Sequence, residues 1–577
     1  PAAPGLGELA LQGRLTRLQA SRLVRYLPTA MDRDVRNYLR DAFSGGELGP
    51  VSFKLKGDMD QFPFSNGRPG TFQIATSVRN MNYAYAVPPA KKGAPIWPTL
   101  AQLWGDLEID RDTLVLSNAR ANWLHPAAAG ATVPITRATA RVTRLYDPAA
   151  LVSLNLEGRT VLSEALLVIN RSALGPVMGN ALARSTASGS AGYKINLQIP
   201  LADPAKTSVQ GSLALSATDF QYSPDSPKVA RVRGTLAFNE NSVNLGGLQA
   251  SALGGDMRLD GSLQFSDAAW ASGGNRVRVQ GTLSSAGLRE SKDLGALAAL
   301  VGLLDGQAAY VADIGWRGGA PQVVITSDLQ GMALALPAPV GKSAASALPL
   351  RAEWSGAGFE GASKTPGRGD TIRVSLGRAA QAVLQRDTGT AQPRLLRGVL
   401  ALGEFESAPP VPAQGLQVLV DTPVLDVDQW SRALQPFVSG APGSPASDNP
   451  YMPNALKLQV RQLLWEGRRV DRLSASARRE GSVWRVDVDA AQLAGKLEFS
   501  AASSTSGSRL QARLSRLSLE ASTANDVQTL LDAPATSLPA MDVVVDALEM
   551  YGKKLGRMQA TAVNAGSAAG KAEWRLQ

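Results

Sequence analysis

Alternation is the feature that most constrains this chain. Val51, Phe53 and Leu55 alternate with Ser52, Lys54 and Lys56. Ile195, Leu197, Ile199 and Leu201 alternate with Asn196, Gln198 and Pro200, and Met257, Leu259, Gly261, Leu263 and Phe265 keep the same period. Trp484, Val486 and Val488 continue it, as do Leu510, Ala512 and Leu514. A period of two puts successive side chains on opposite faces of a strand, one apolar and one wet. Gly, Asn, Asp and Ser separate the runs as turns. The pattern predicts a mainly β fold of many repeated strands.

Internal repeats support this. Leu456–Ala477 (LKLQVRQLLWEGRRVDRLSASA) aligns without a gap with Met541–Ala562 (MDVVVDALEMYGKKLGRMQATA). Val460, Leu463, Gly467, Arg472, Ala475 and Ala477 recur as Val545, Leu548, Gly552, Arg557, Ala560 and Ala562. Each copy predicts strand, Gly turn, strand, and Trp484-Arg485-Val486 returns as Trp574-Arg575-Leu576. A second pattern links Leu103-Trp-Gly-Asp-Leu-Glu-Ile109, Val232-Arg-Gly-Thr-Leu-Ala-Phe238 and Leu396-Arg-Gly-Val-Leu-Ala-Leu402.

Helical periodicity is confined to short stretches. Arg33–Phe43 carries Val35, Leu39 and Phe43 on one face and ends at Gly45-Gly46. Residues 293–304, 428–438 and 525–531 are further candidates, and 439–453, rich in Pro, Gly, Ser and Asp, reads as a linker. The expected organisation is a repeated β-array over 1–452, interrupted by helices near 33–43, 293–304 and 428–438. Further repeats of the same kind fill 453–577. The last repeat looks unfinished, so the natural chain is expected to continue past Gln577.

Composition removes most catalytic classes. With no Cys, disulfides, thiolate sites and cysteine nucleophiles have no material, and with one His in 577 residues His-rich metal sites and the common His-based triads are nearly excluded. His125, in Trp-Leu-His-Pro, reads as a turn residue. No stretch reaches the roughly 18–20 apolar residues of a membrane helix, and Pro-Ala-Ala-Pro-Gly does not open a signal peptide. The net charge of +10 is spread thinly; its densest spots are Arg468, Arg469 and Arg472, then Arg478 and Arg479. They read as a solvated strand face, with anionic headgroups or nucleic acid as the alternative partners.

Three motifs invite chemistry. Gly341-Lys342-Ser343 resembles the end of a phosphate loop, but the first glycine position is Leu336, and Pro337 and Pro339 lack the N–H donors such a loop needs. The pairs Asp58/Asp60, Asp110/Asp112, Asp426/Asp428 and Asp487/Asp489 share strand faces or ends and suit metal or acid–base work only if they converge. Arg368-Gly369-Asp370 is an adhesion tripeptide placed by its glycines in a loop. None of these gives a positive sign of an enzyme, a cofactor, a metal or a nucleotide.

Ser-Asp-Leu-x-Gly from Ser327, then Leu336-Pro337-Ala338-Pro339, Lys342 and Leu348-Pro349-Leu350, resemble the YhdP family of large AsmA-like envelope proteins of Gram-negative cells. Tyr26-Leu27-Pro28, Tyr38-Leu39, Gly45-Gly46 and Gln61-Phe62-Pro63-Phe64 agree, as do Trp97-Pro98 with Leu103–Leu107 and Val424–Trp430. The resemblance implies a long, twisted antiparallel sheet curled into an elongated apolar groove. It also implies a periplasmic location and an inner-membrane anchor helix outside this fragment. In that reading the groove carries phospholipid acyl chains between the inner and outer membranes, whose lipids or proteins meet its two ends. The implied lining is Val51, Phe53, Leu55, Ile195, Leu197, Ile199, Met257, Leu259, Leu263, Phe265, Trp484, Val486 and Val488. The alternative is an envelope scaffold or assembly factor whose sheet edges bind outer-membrane protein strands.

Overall fold

A computed structural model describes residues 7–576 apart from 30, 87–95, 129, 179, 181, 225, 292–300, 318–319, 357–368, 390–392, 406–408, 439–450, 501–507, 520–539 and 566–572. The chain is mainly β, with a few short helices. It divides into two units: Pro1–Ala269 with Gly274–Val279, and Trp270–Gly273 with Gln280–Gln577. Position 452/453 lies inside the second unit, just before the strand Ala455–Trp465.

The first unit is an antiparallel meander. Glu8–Leu15 pairs with Phe43–Asp58, which pairs with Thr71–Tyr83. Thr99–Asp110, Thr113–Leu124, Val133–Thr143, Leu151–Val161, Ser190–Pro200, Ser208–Gln221 and Val229–Asn239 follow, each beside the last. Many strands carry a bulge. The register slips at Val78/Met81, Leu116/Ala119 and Ser216/Thr218, where Asn80, Asn118 and Ala217 adopt positive φ. A bulge bends its strand and raises the local twist. It also resets the alternation: Val78 and Met81 are three apart yet both buried.

The second unit is mixed. Antiparallel pairing is the rule, but Arg394–Gly403 runs parallel to Gly415–Asp426, which runs parallel to Ala455–Trp465. Arg509–Leu519 is likewise parallel to Ala540–Met550. The expectation of an antiparallel sheet therefore holds except at these three described pairs. A parallel partner needs a connection that carries the chain back along the strand. The helix Val427–Val438 opens one such connection, with Asp426 accepting from the Gln429 N–H at 2.8 Å as its cap. The sequence repeat is real structure. Ala455–Trp465 and Ala540–Met550 each enter parallel to the preceding strand and turn into an antiparallel partner, Arg468–Glu480 and Lys553–Ala565.

Arg33–Ala42 and Val427–Val438 are helical as expected. Most of 293–304 lies outside the described residues, and Leu304 begins the strand Leu304–Arg317. The 525–531 helix and most of the 439–453 linker also lie outside them. Leu162–Arg171 is a helix that period-two reasoning missed. Its signal was Ala165, Val168 and Ile169 at i, i+3 and i+4; Val168 is fully buried in one cluster with Val133 and Tyr193.

Candidate functional site

Cross-strand register assembles the alternating residues into rows that run across the strands. In the first unit Gly13, Phe53, Ile74, Ile109, Leu114, Val142, Val152 and Ile199 are successive partners. Leu107, Leu116, Ala140, Leu154, Leu197 and Val209 form a neighbouring row. Ala138, Leu156, Ile195, Gly211, Phe238, Val243 and Leu263 form a third.

Each row glycine seats a ring. A Cβ on Gly13 would stand 2.5 Å from Phe53 Cζ, and one on Gly211 2.2 Å from Phe238 Cζ. Both rings lie over bare backbone, and the face stays smooth where they cross it.

The second unit has a longer row. Ala312, Ile325, Ala352, Val374, Ala382, Leu400 and Val418 are partners in turn. Leu456, Ala477, Val486, Leu497, Ala512, Val543 and Ala560 continue it. No polar residue interrupts it. One position along, the opposite face reads Arg351, Ser375 and Gln381, then the apolar Ala401 and Leu419, then Lys457, Ser476, Asp487, Lys496 and Arg513. Outside that Ala401–Leu419 step, the one-residue offset separates an apolar face from a polar, charged one.

Burial describes what covers this face. Packed under a second sheet, these positions would be buried. Instead Phe53, Leu55, Ile195, Leu197, Ile199, Leu259, Leu263, Trp484, Val486 and Val488 are half-buried, while Met257 and Val51 are buried. Val51, Phe53 and Leu55 share one face, with Leu55 opposite Leu11 and Phe72. Leu259 faces Leu248 and Met257 faces Ala250. Trp484 faces Phe499, and Val488 faces Ala475 and Gly495. Phe265 departs from the expectation. Its strand ends at Gln264, clamped by both amide atoms of the buried Asn275, and Phe265 is half exposed past that end.

Aromatic clusters stand at the strand ends of the first unit. Tyr38 and Tyr83 share a 2.8 Å hydroxyl contact, Trp123 Nε1 donates to Tyr85 Oη at 3.0 Å, and Phe43 stacks on Tyr83. Burial pushes the Tyr83 hydroxyl well up and that of Tyr85 to about 12. Burial also raises Tyr193 to about 12, and burial with Asp112 nearby raises Tyr146 to about 12.

The motifs with possible chemistry are structural. Lys342 Nζ donates to the carbonyls of Leu329, at 2.7 Å, and Met332, so it ties down a turn. Burial holds its ammonium below the usual lysine range, against the pull of Asp328. His125 accepts from the Ala127 N–H on Nδ1, so Nε2 carries the proton given to the Ile96 carbonyl. Asp58 and Asp426 are caps, and Asp428 accepts from the Glu466 N–H. Asp370 is not in a loop. It begins the strand Gly369–Leu376, is 3% exposed, and is bound by the Arg386 guanidinium and by Trp354 Nε1 at 2.9 Å. Among the described residues no three His, Cys, Asp or Glu side chains converge as for a metal. No described helix is long and apolar enough to cross a membrane.

The structure is thus a repeated sheet whose apolar rows run across its strands and are only half-covered. The chain matches the family model described as YhdP protein over residues 2–576, and it belongs to the YhdP family. Membership points to lipid transport associated with the cell envelope. No curated protein and no solved structure matches it.

Proposed function

We propose that the apolar rows carry phospholipid acyl chains through the periplasm, as a segment of a bridge between the inner and outer membranes. The observation that carries this reading is the unbroken row from Ala312 to Ala560, half-buried along most of its length. Acyl chains supply the missing cover, at roughly 0.8 kcal/mol per buried CH₂. The row crosses every strand it meets, so a chain sliding along it exchanges one Val or Leu neighbour for the next without entering water. Headgroups stay on the wet side. The chemistry needs no enzyme, cofactor, metal or nucleotide within this chain, and its partners are phospholipids and whatever receives them at each membrane.

The test is lipid carriage by charged variants. Leu197→Asp and Val486→Asp put a carboxylate on a row without touching the opposite face. A charge in an apolar track costs on the order of 3 kcal/mol, so both variants should fold by circular dichroism and lose co-purified phospholipid in native mass spectrometry. Folded variants that carry as much lipid as the parent chain would refute the reading.

A further inference from the structure

Arg478 and Arg479 are adjacent in sequence but are presented to different surroundings. Arg478 is exposed on the wet face of the strand Arg468–Glu480, while Arg479 has the alternation of Ala475 and Ala477 and is half-buried on the apolar face. It stands one residue inside the hairpin, at the edge of that face. Its cross-strand partner is Trp484, whose own partner is Phe499, 37% exposed.

Among the described residues the same edge carries one other arginine on the apolar face, Arg386. That one is neutralised by the buried Asp370. Arg479 has no such carboxylate among the described residues; its backbone N–H donates to the Asn454 carbonyl, and its guanidinium makes no ion pair. An unneutralised cation at the boundary between an apolar row and water, with Trp484 opposite it and Phe499 one strand further on, suits an anion tethered to acyl chains. Guanidinium matches phosphate oxygens by charge and by its planar fork of donors. Aromatic rings with one apolar and one wet side suit the ester level of a lipid.

We propose that Arg479 binds the phosphate of a glycerophospholipid whose acyl chains lie on the neighbouring rows, with Trp484 and Phe499 against its glycerol. This rests on the conduit reading above and adds the site that fixes the headgroup's place on the rim.

The chain is incubated with vesicles of phosphatidylglycerol or, separately, with vesicles doped with diacylglycerol, and bound lipid is counted by native mass spectrometry. Arg479→Leu should lower bound phospholipid about tenfold, the value of one charge-assisted hydrogen bond, and leave diacylglycerol unchanged. Arg479→Lys should keep part of the binding, and Arg478→Leu all of it. The phosphorus-31 line of bound lipid should move in Arg479→Leu alone. Arg479→Gln replaces the leucine variant if that one does not fold.

Equal phospholipid loading by folded Arg479→Leu overturns the proposal, as does an equal loss in Arg478→Leu, which would mean diffuse charge attraction. Inorganic phosphate is titrated into the lipid-free chain in parallel. Tight binding that needs Arg479 would assign the site to a free anion and overturn the lipid source. If neither phospholipid nor diacylglycerol loads, the conduit reading fails as well; if diacylglycerol loads and Arg479 is irrelevant, only this inference fails.

Discussion

The two units solve the same problem with different connections. In the first, every described pairing is antiparallel, so neighbouring strands need only local links, and bulges at Asn80, Asn118 and Ala217 bend the strands. In the second, three parallel joints require crossovers, one opened by Val427–Val438, which packs Trp430 against the Val420, Val460 and Leu463 cluster. The row residues differ too. Phe, Ile, Leu and Val fill the first unit's row from Phe53 to Ile199, whereas Ala recurs through the second's from Ala312 to Ala560. An apolar row thus survives a change of strand direction, because parallel and antiparallel ladders both set side chains of one face opposite each other.

The largest expected effect breaks the comparison at its packing. Phe64 is fully buried in the first unit, over Gly57 and Gly70, where an added Cβ would meet its ring at 2.8 and 2.3 Å. Phe64→Ala should cost about 3–5 kcal/mol in chemical denaturation. Asp370→Asn in the second unit should cost about 2 kcal/mol, because Arg386 loses its counter-charge but keeps some water. If the units unfold separately, the two variants shift different transitions; a shared shift of one transition would erase the distinction.

Bulge geometry comes next. Asn118 holds φ at 51°, a conformation that a β-branched residue resists. Asn118→Val should cost about 1–2 kcal/mol, whereas Asn118→Gly should be tolerated. Equal losses would show that the bulge does not depend on that conformation.

The smallest effect near neutrality is alkaline. Tyr85, Tyr146 and Tyr193, all in the first unit, are raised to about 12, and Tyr38 and Tyr83 are raised as well; in the second unit Tyr310 is raised. Between about pH 10 and 12 the unfolded chain loses phenolic protons that the folded chain keeps, so stability falls as pH rises. The first unit should weaken ahead of the second, read by denaturation at stepped pH and phenolate absorbance.

Much of this was legible in the sequence, for a local reason. Val51–Leu55 and Ile195–Ile199 show their strand character because neighbouring side chains must alternate. The rows were not legible, since Leu154 opposite Leu197 is set by pairing between distant segments. Bulges hid as well: no glycine marks Asn80 or Asn118, and strict alternation past Val78 puts Met81 on the wrong face. Phe265 shows the opposite error, a period carried one residue beyond the strand that Asn275 ends. Asp370 was misread because its partners, Arg386 and Trp354, come from other strands.

The most direct test of lipid carriage follows face by face. A photo-reactive phenylalanine analogue is placed in turn at Ile195, Asn196, Leu197, Gln198 and Ile199, and adducts to phospholipid are read by mass spectrometry after illumination in cells. The account predicts adducts at Ile195, Leu197 and Ile199 and none at Asn196 or Gln198. Adducts of equal yield at all five positions, or at none while the protein is folded and in place, would contradict it.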